Sequence, residues 1–105
     1  MIKKLLFITF LLITTVGFSQ KTLEKLSAAP NPFTKTTTIS FESKSSQTII
    51  FSVKNILGRK VYHRTFLAKK GRNSIPFSKN KLQSGIYIYT ILTHKETISK
   101  RLVIK

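Results

Sequence analysis

TTISF, Thr37 to Phe41, sets Thr37, Ile39 and Phe41 on alternate positions with Thr38 and Ser40 between them. A period of two is that of a strand with one buried face, because successive side chains point to opposite sides of a sheet. The same period returns in Ile49, Phe51 and Val53, interleaved with Ser52 and Lys54.

Working outward, Val61 to Phe66 gives a third run, and Ile75 and Phe77 flank Pro76 in a short fourth. Proline cannot donate to a ladder, so that fourth strand belongs at an edge or a strand end. Gly85 to Thr93, GIYIYTILT, is apolar on both parities and rich in β-branched and aromatic residues, which predicts a central strand covered on both sides. Ile98 to Ile104 alternates again through Ile98, Leu102 and Ile104, with Lys100 interrupting the series. Turn signals fall between the runs, at Ser43 to Gln47, Asn55 with Gly58, Lys69 to Asn73, Gln83 to Gly85, and Thr93 to Lys95. No stretch of helical length carries apolar residues at i, i+3, i+4 and i+7. With a weak strand before Pro30, the pattern is an all-β fold, an immunoglobulin-like sandwich of about seven antiparallel strands. Leu82, Gly85 and Tyr87 stand where a penultimate strand begins, the place at which a tyrosine hydroxyl can bond back to the preceding connection. A plain core role for Tyr87 fits the residues equally well.

The front of the chain has a different character. Lys3 and Lys4 precede an apolar run from Leu5 to Val16, and Gly17-Phe18-Ser19 then places small residues three apart. That is the layout of a secretory signal peptide over residues 1–19, cut after Ser19. Twelve residues at 1.5 Å each cover only about 18 Å of a hydrocarbon core roughly 30 Å thick, so stable membrane insertion is not expected once the signal is cleaved. Gln20, not cysteine, follows the cleavage point, which argues against a lipid on the mature end. Residues 20–28 read as a short linker and 29–105 as the sandwich. The 86 residues left by removing 19 of 105 are near the lower limit for a single core, and the absence of cysteine excludes a disulfide. Ahead of the first clear strand, APNPF (Ala29 to Phe33) is stiff. Each proline fixes φ and lacks an amide donor, and each biases the residue before it, Ala29 and Asn31, towards extended geometry.

Composition restricts the chemistry. Aspartate and cysteine are absent, and His63 and His94 are far apart in the sequence without metal-ligand spacing. A catalytic triad would need Glu24, Glu42 or Glu96 as its acid, and no serine sits in a glycine-rich nucleophile turn. No enzyme activity, cofactor or metal is expected. The charge is strongly basic: of 19 Lys and Arg, two fall in the leader, and the other 17 face three glutamates, a net of +14. Such a field attracts anions. Lys69, Lys70 and Arg72 cluster in what reads as a hairpin loop and form a candidate anion-binding site, with Lys79 and Lys81 nearby in the next connection. The anions best suited to it are lipopolysaccharide or acidic cell-surface glycan. Nucleic acid is not expected, because there is no groove-entering helix or RNA-binding aromatic motif and the protein is exported.

Five pieces in order, PNPF (Pro30 to Phe33), TTISF, VKNILGRKV (Val53 to Val61), LQSGIYIY (Leu82 to Tyr89) and KRLVIK (Lys100 to Lys105), together resemble the type A C-terminal sorting domain of the type IX secretion system of Bacteroidetes. The resemblance runs from about Ser27 to Lys105. It implies a small β-sandwich that is exported to the periplasm, recognised by the outer-membrane machinery, and carried to the cell surface or medium. In the family a sortase commonly removes the domain and can link the cargo to anionic lipopolysaccharide. The domain is then a substrate and a label.

Matched position by position, the family pattern falls on Pro30, Asn31 and Pro32, on Gly58, on Leu82, Gly85 and Tyr87, and on Lys100, Arg101, Leu102, Val103 and Lys105. Gly58 and Gly85 are expected to supply positive φ, and Lys100 and Arg101 to point to opposite faces of the last strand. The Pro-Asn-Pro knot is expected to hold the linker clear of the first strand. Family members follow a cargo, whereas here only Gln20 to Ser27 precede the motif. This leaves three origins open: a remnant of a longer gene, a misplaced start, or a small protein using the sandwich for itself. The alternative function is a small secreted basic sandwich that binds anionic glycan or lipopolysaccharide.

Overall fold

The computed structural model describes residues 21–105, so the leader expected over 1–19 lies outside the described residues. Seven strands follow in order: β1 (Leu23–Ala29), β2 (Thr36–Ser43), β3 (Gln47–Asn55), β4 (Lys60–Ala68), β5 (Gly71–Ser78), β6 (Gly85–Leu92) and β7 (Thr97–Ile104), with no helix among the described residues. They form a three-stranded sheet in the order β1-β2-β5 and a four-stranded sheet in the order β4-β3-β6-β7, with every neighbouring pair antiparallel. The result is the immunoglobulin-like sandwich that the spacing predicts. In a constant-type immunoglobulin domain four strands fill the first sheet; here β4 has moved to the second.

Alternation fills the space between the sheets. Ile39 and Phe41 of β2 and Ile75 and Phe77 of β5 meet Ile49, Phe51 and Val53 of β3 and Tyr87, Tyr89 and Ile91 of β6, all buried. Phe77 receives the rings of Phe33, Phe51 and Tyr62 edge to face, at centroid distances of 6.2, 5.9 and 5.2 Å, the arrangement that aromatic quadrupoles favour. Pro76 stands on β5, an edge strand of its sheet, where its missing amide costs least.

Three expectations need correction. Residues 23–28, read as linker, belong to β1, where Leu23 and Leu26 are buried. A bulge between Glu24 and Ser27, with Lys25 at φ 55°, spaces the two leucines three apart instead of two, which hides the strand period. GIYIYTILT does form a central strand, β6, but only its Tyr87, Tyr89 and Ile91 face is covered. A two-layer sandwich leaves each sheet one open face, and Ile86, Ile88 and Leu92 lie on it. Finally, Lys69 to Asn73 is not a hairpin loop, because β4 and β5 belong to different sheets. The segment is a corner from one layer to the other, closed by Gly71 at φ 103° and by the Asn73 side chain, which accepts from the Lys69 amide at 2.9 Å and donates to the Lys69 carbonyl at 2.9 Å.

Candidate functional site

Pro30 and Pro32 offer no amide, yet the segment they stiffen is paired. Phe33 bridges β7 in parallel with Ile104: its amide donates to the Val103 carbonyl at 3.0 Å, and its carbonyl accepts from the Lys105 amide at 2.8 Å. One step back, the Asn31 side chain does what a strand backbone would do. Its amide nitrogen donates to the Arg101 carbonyl at 3.0 Å, and its oxygen accepts from the Val103 amide at 2.9 Å. The Pro30 carbonyl accepts from the Thr37 hydroxyl at 2.7 Å, and the Phe33 ring is buried. Both X-Pro bonds are cis. The knot stands between β1 and β2, inside the sandwich, and by these hydrogen bonds clasps the outer edge of the last strand from Arg101 to Lys105. The expected spacer ahead of the first strand is replaced by this clasp, because β1 begins before the prolines and the donors that proline lacks are supplied by Asn31 and Phe33.

The other signature residues gather at the same pole. In the pairing, Asn55 at the end of β3 lies opposite Tyr87, and Gly85 at the start of β6 lies opposite Ile104. The β3–β4 turn is built on Asn55, whose side-chain oxygen accepts from the amides of Leu57 and Arg59, both at 3.0 Å. Gly58 completes that turn at φ 82°, a conformation that favours glycine. The Tyr87 hydroxyl donates to the Gln83 carbonyl at 2.7 Å, so the tyrosine corner forms, with Leu82 packed against the core. Thus Pro30 to Pro32, Gly58, Leu82, Gly85, Tyr87 and Leu102 to Lys105, which are scattered over 76 positions of sequence, share one end of the sandwich.

Lys100 and Arg101 lie just above this pole. Lys100 lies opposite Tyr89 on the inward parity, and Arg101 opposite Ile88 on the open face. Lys100 interrupts the apolar series because its ammonium reaches across the layer edge to the Leu26 carbonyl of β1, at 2.6 Å. Its aliphatic stem can follow the inner face while its charge finds an acceptor.

The basic residues of the two connections fall at opposite ends of β5. Lys69 and Lys70 are exposed in the inter-sheet corner, while Arg72 is on β5 opposite Glu42. Lys79 and Lys81 follow the far end of β5, about 25 Å away at strand rise. His63 is exposed opposite Ser52 on the open face, not half-buried, and His94 is exposed in the β6–β7 turn. Among the described residues no three His, Cys, Asp or Glu side chains converge as a metal site would require.

Sequence reading missed one polar centre, at the opposite pole. Glu96 accepts from the amides of Thr22 and Leu23 at 2.7 and 2.6 Å and from the Thr22 hydroxyl at 2.8 Å. Burial works to raise its pKa, but the Thr22 and Leu23 hydrogen bonds and the nearby Lys21 charge hold it below the ordinary glutamate value. The only cue in the sequence is its position in the turn before β7.

An immunoglobulin-like sandwich whose short motifs meet at one pole, with the last strand clasped by a Pro-Asn-Pro segment, defines the class. Residues 27–105 match the family described as Secretion system C-terminal sorting domain, and the chain belongs to that family, the sorting domains of type IX secretion. Among solved structures it is similar to dimeric latent PorU from Porphyromonas gingivalis, at 16% identity and a TM-score of 0.64. The similarity covers 84% of this chain and 10% of that one. No curated protein matches the chain.

Proposed function

We propose that this domain is the label by which type IX machinery exports a protein across the outer membrane, and that the machinery reads the clasped pole. The observation that carries this is convergence. Pieces of the family pattern far apart in sequence, from Pro30 to Lys105, share one pole of the sandwich, where the Asn31 side chain and the Phe33 backbone hold the edge of β7 in place. Elsewhere the fold needs only alternation and turns, which many sequences supply. On this reading the domain has no chemistry of its own. It passes through the periplasm folded, and the fixed β7 edge is what distinguishes it from other exported sandwiches. Removal by a sortase, and attachment of a cargo to anionic lipopolysaccharide, would follow export and belong to the same proposal. The test is a reporter fused ahead of residues 20–105, behind a signal peptide, in strains with and without a working type IX system. Surface or medium reporter that requires the system and is lost on deleting Leu102 to Lys105 supports the reading. Reporter held in the periplasm of both strains, with the domain folded, refutes it.

A further inference from the structure

The two outward faces of the sandwich are chemically unlike. On the three-stranded sheet the outward residues of β2 and β5 are Thr36, Thr38, Ser40 and Glu42, paired with Ser78, Pro76, Ser74 and Arg72, a small and polar surface. On the four-stranded sheet, near the clasped pole, Ile86 is 46% and Ile88 39% exposed, and Val103 lies beside Ile86. The patch continues over the β3–β4 turn, where Ile56 and Leu57 are 76% and 88% exposed and share a cleft of about 300 Å³ with Ile86. Packing within the chain requires none of these side chains, since the inward parity alone fills the core.

Charge on this face is one-sided. Lys54 and Arg101 flank Ile88 in the pairing, and Lys105 ends the same edge. The chain has three acidic side chains, and each is engaged elsewhere: Glu24 with Lys44 at 3.4 Å, Glu42 with Lys25 at 3.6 Å, and Glu96 with Thr22 and Leu23. None of the chain's acidic side chains is therefore left to pair with Lys54 and Arg101 beside Ile88. We infer that the Ile86–Ile88–Val103 face, extended by Ile56 and Leu57, docks a folded protein whose own apolar patch is bordered by carboxylates. This rests on the sorting reading and names the partner as a component of the export machinery that meets the domain on this face. Complementary charge steers such an encounter, and apolar contact holds it. A second copy fits poorly, because it would set Lys54, Arg101 and Lys105 against like charges. A lipid surface fits less well too, because among the described residues the exposed large hydrophobics are Ile or Leu, without the aromatic rings enriched at lipid interfaces.

The test uses the exported reporter fusion with Ile88→Glu, Ile88→Lys and, at the opposite pole, Lys69→Glu with Lys70→Glu. Ile88→Glu should lower export by about tenfold or more, because it places a buried charge against carboxylates. Ile88→Lys should lower it less, and the distal pair should leave it unchanged. Thermal melts check folding, and Ile86→Thr with Ile88→Thr, which keeps β-branching, replaces Ile88→Glu if that variant does not fold. A photo-crosslinker at position 88 should give an adduct with a machinery protein during export. Export of folded Ile88→Glu at the wild-type level, or an adduct only with a second copy or with lipid, overturns the inference while leaving the sorting reading intact. Failure of the wild-type fusion to be exported would instead remove the sorting reading beneath it.

Discussion

Replacing Asn31 with alanine isolates the clasp from the rest of the fold. The side chain makes two hydrogen bonds to the β7 backbone, at 3.0 Å to the Arg101 carbonyl and 2.9 Å from the Val103 amide. Each is worth about 0.5–1.5 kcal/mol net. Both are exposed, so water can take up the freed groups, and the expected loss lies in the lower part of the summed range, about 1–2 kcal/mol. For a domain of this size total stability is on the order of 5 kcal/mol, and each kcal/mol moves Tm by roughly 4–8 °C. Asn31→Ala should therefore lower Tm by about 5–15 °C and shift the urea midpoint without changing the slope. Hydrogen exchange should quicken first at the Val103 amide, whose acceptor is removed, while the Lys105 amide keeps the Phe33 carbonyl. Lys35→Ala, a nearby exposed change, serves as control and should stay within about 0.5 kcal/mol. An Asn31→Ala protein within about 0.3 kcal/mol of wild type, with unchanged exchange at Val103, would show that the side chain does not hold the strand.

Three further changes probe the same construction. Tyr87→Phe removes the 2.7 Å bond to the Gln83 carbonyl and keeps the ring, so chemical denaturation should show a loss of about 1 kcal/mol. Gly58→Ala meets nothing within 4 Å of the added methyl but must hold φ near 82°; a cost of about 1–2 kcal/mol is expected from the backbone alone, and Gly58→Asn should recover part of it. Glu96 has a lowered pKa in the folded protein, so folding favours its charged form. The stability this supplies is complete above the ordinary glutamate range and is lost as pH falls through the lowered folded value. Melting against pH should accordingly slope downward in acid for the wild type and flatten in that window for Glu96→Gln.

Strands and their buried faces are legible in the sequence where alternation is strict, as in Thr37 to Phe41 and Ile49 to Val53. They were obscured where a bulge broke the period, as between Leu23 and Leu26, because period two presumes a regular pleat. The apolar parity of Ile86 and Ile88 suggests burial that the fold does not provide, since composition records hydrophobicity and not what covers it. Nearness in sequence misplaces Lys79 and Lys81 for a related reason: Lys70 and Lys79 are nine residues apart, but an eight-residue strand carries them to opposite poles. The clasp could not be read from local pattern at all. Its bonds join residues 70 and 72 positions apart, and the family resemblance names PNPF and KRLVIK without bringing them together.

The most direct test of the clasped pole as the readable element is quantitative export of the reporter fusion carrying Asn31→Ala, at a temperature where melting shows the variant still folded. If the machinery reads the pole, export should fall well beyond the small fraction that is unfolded, and the distal Lys69→Glu with Lys70→Glu protein should be exported normally. Export of folded Asn31→Ala at the wild-type level would contradict it and leave the clasp a purely structural device.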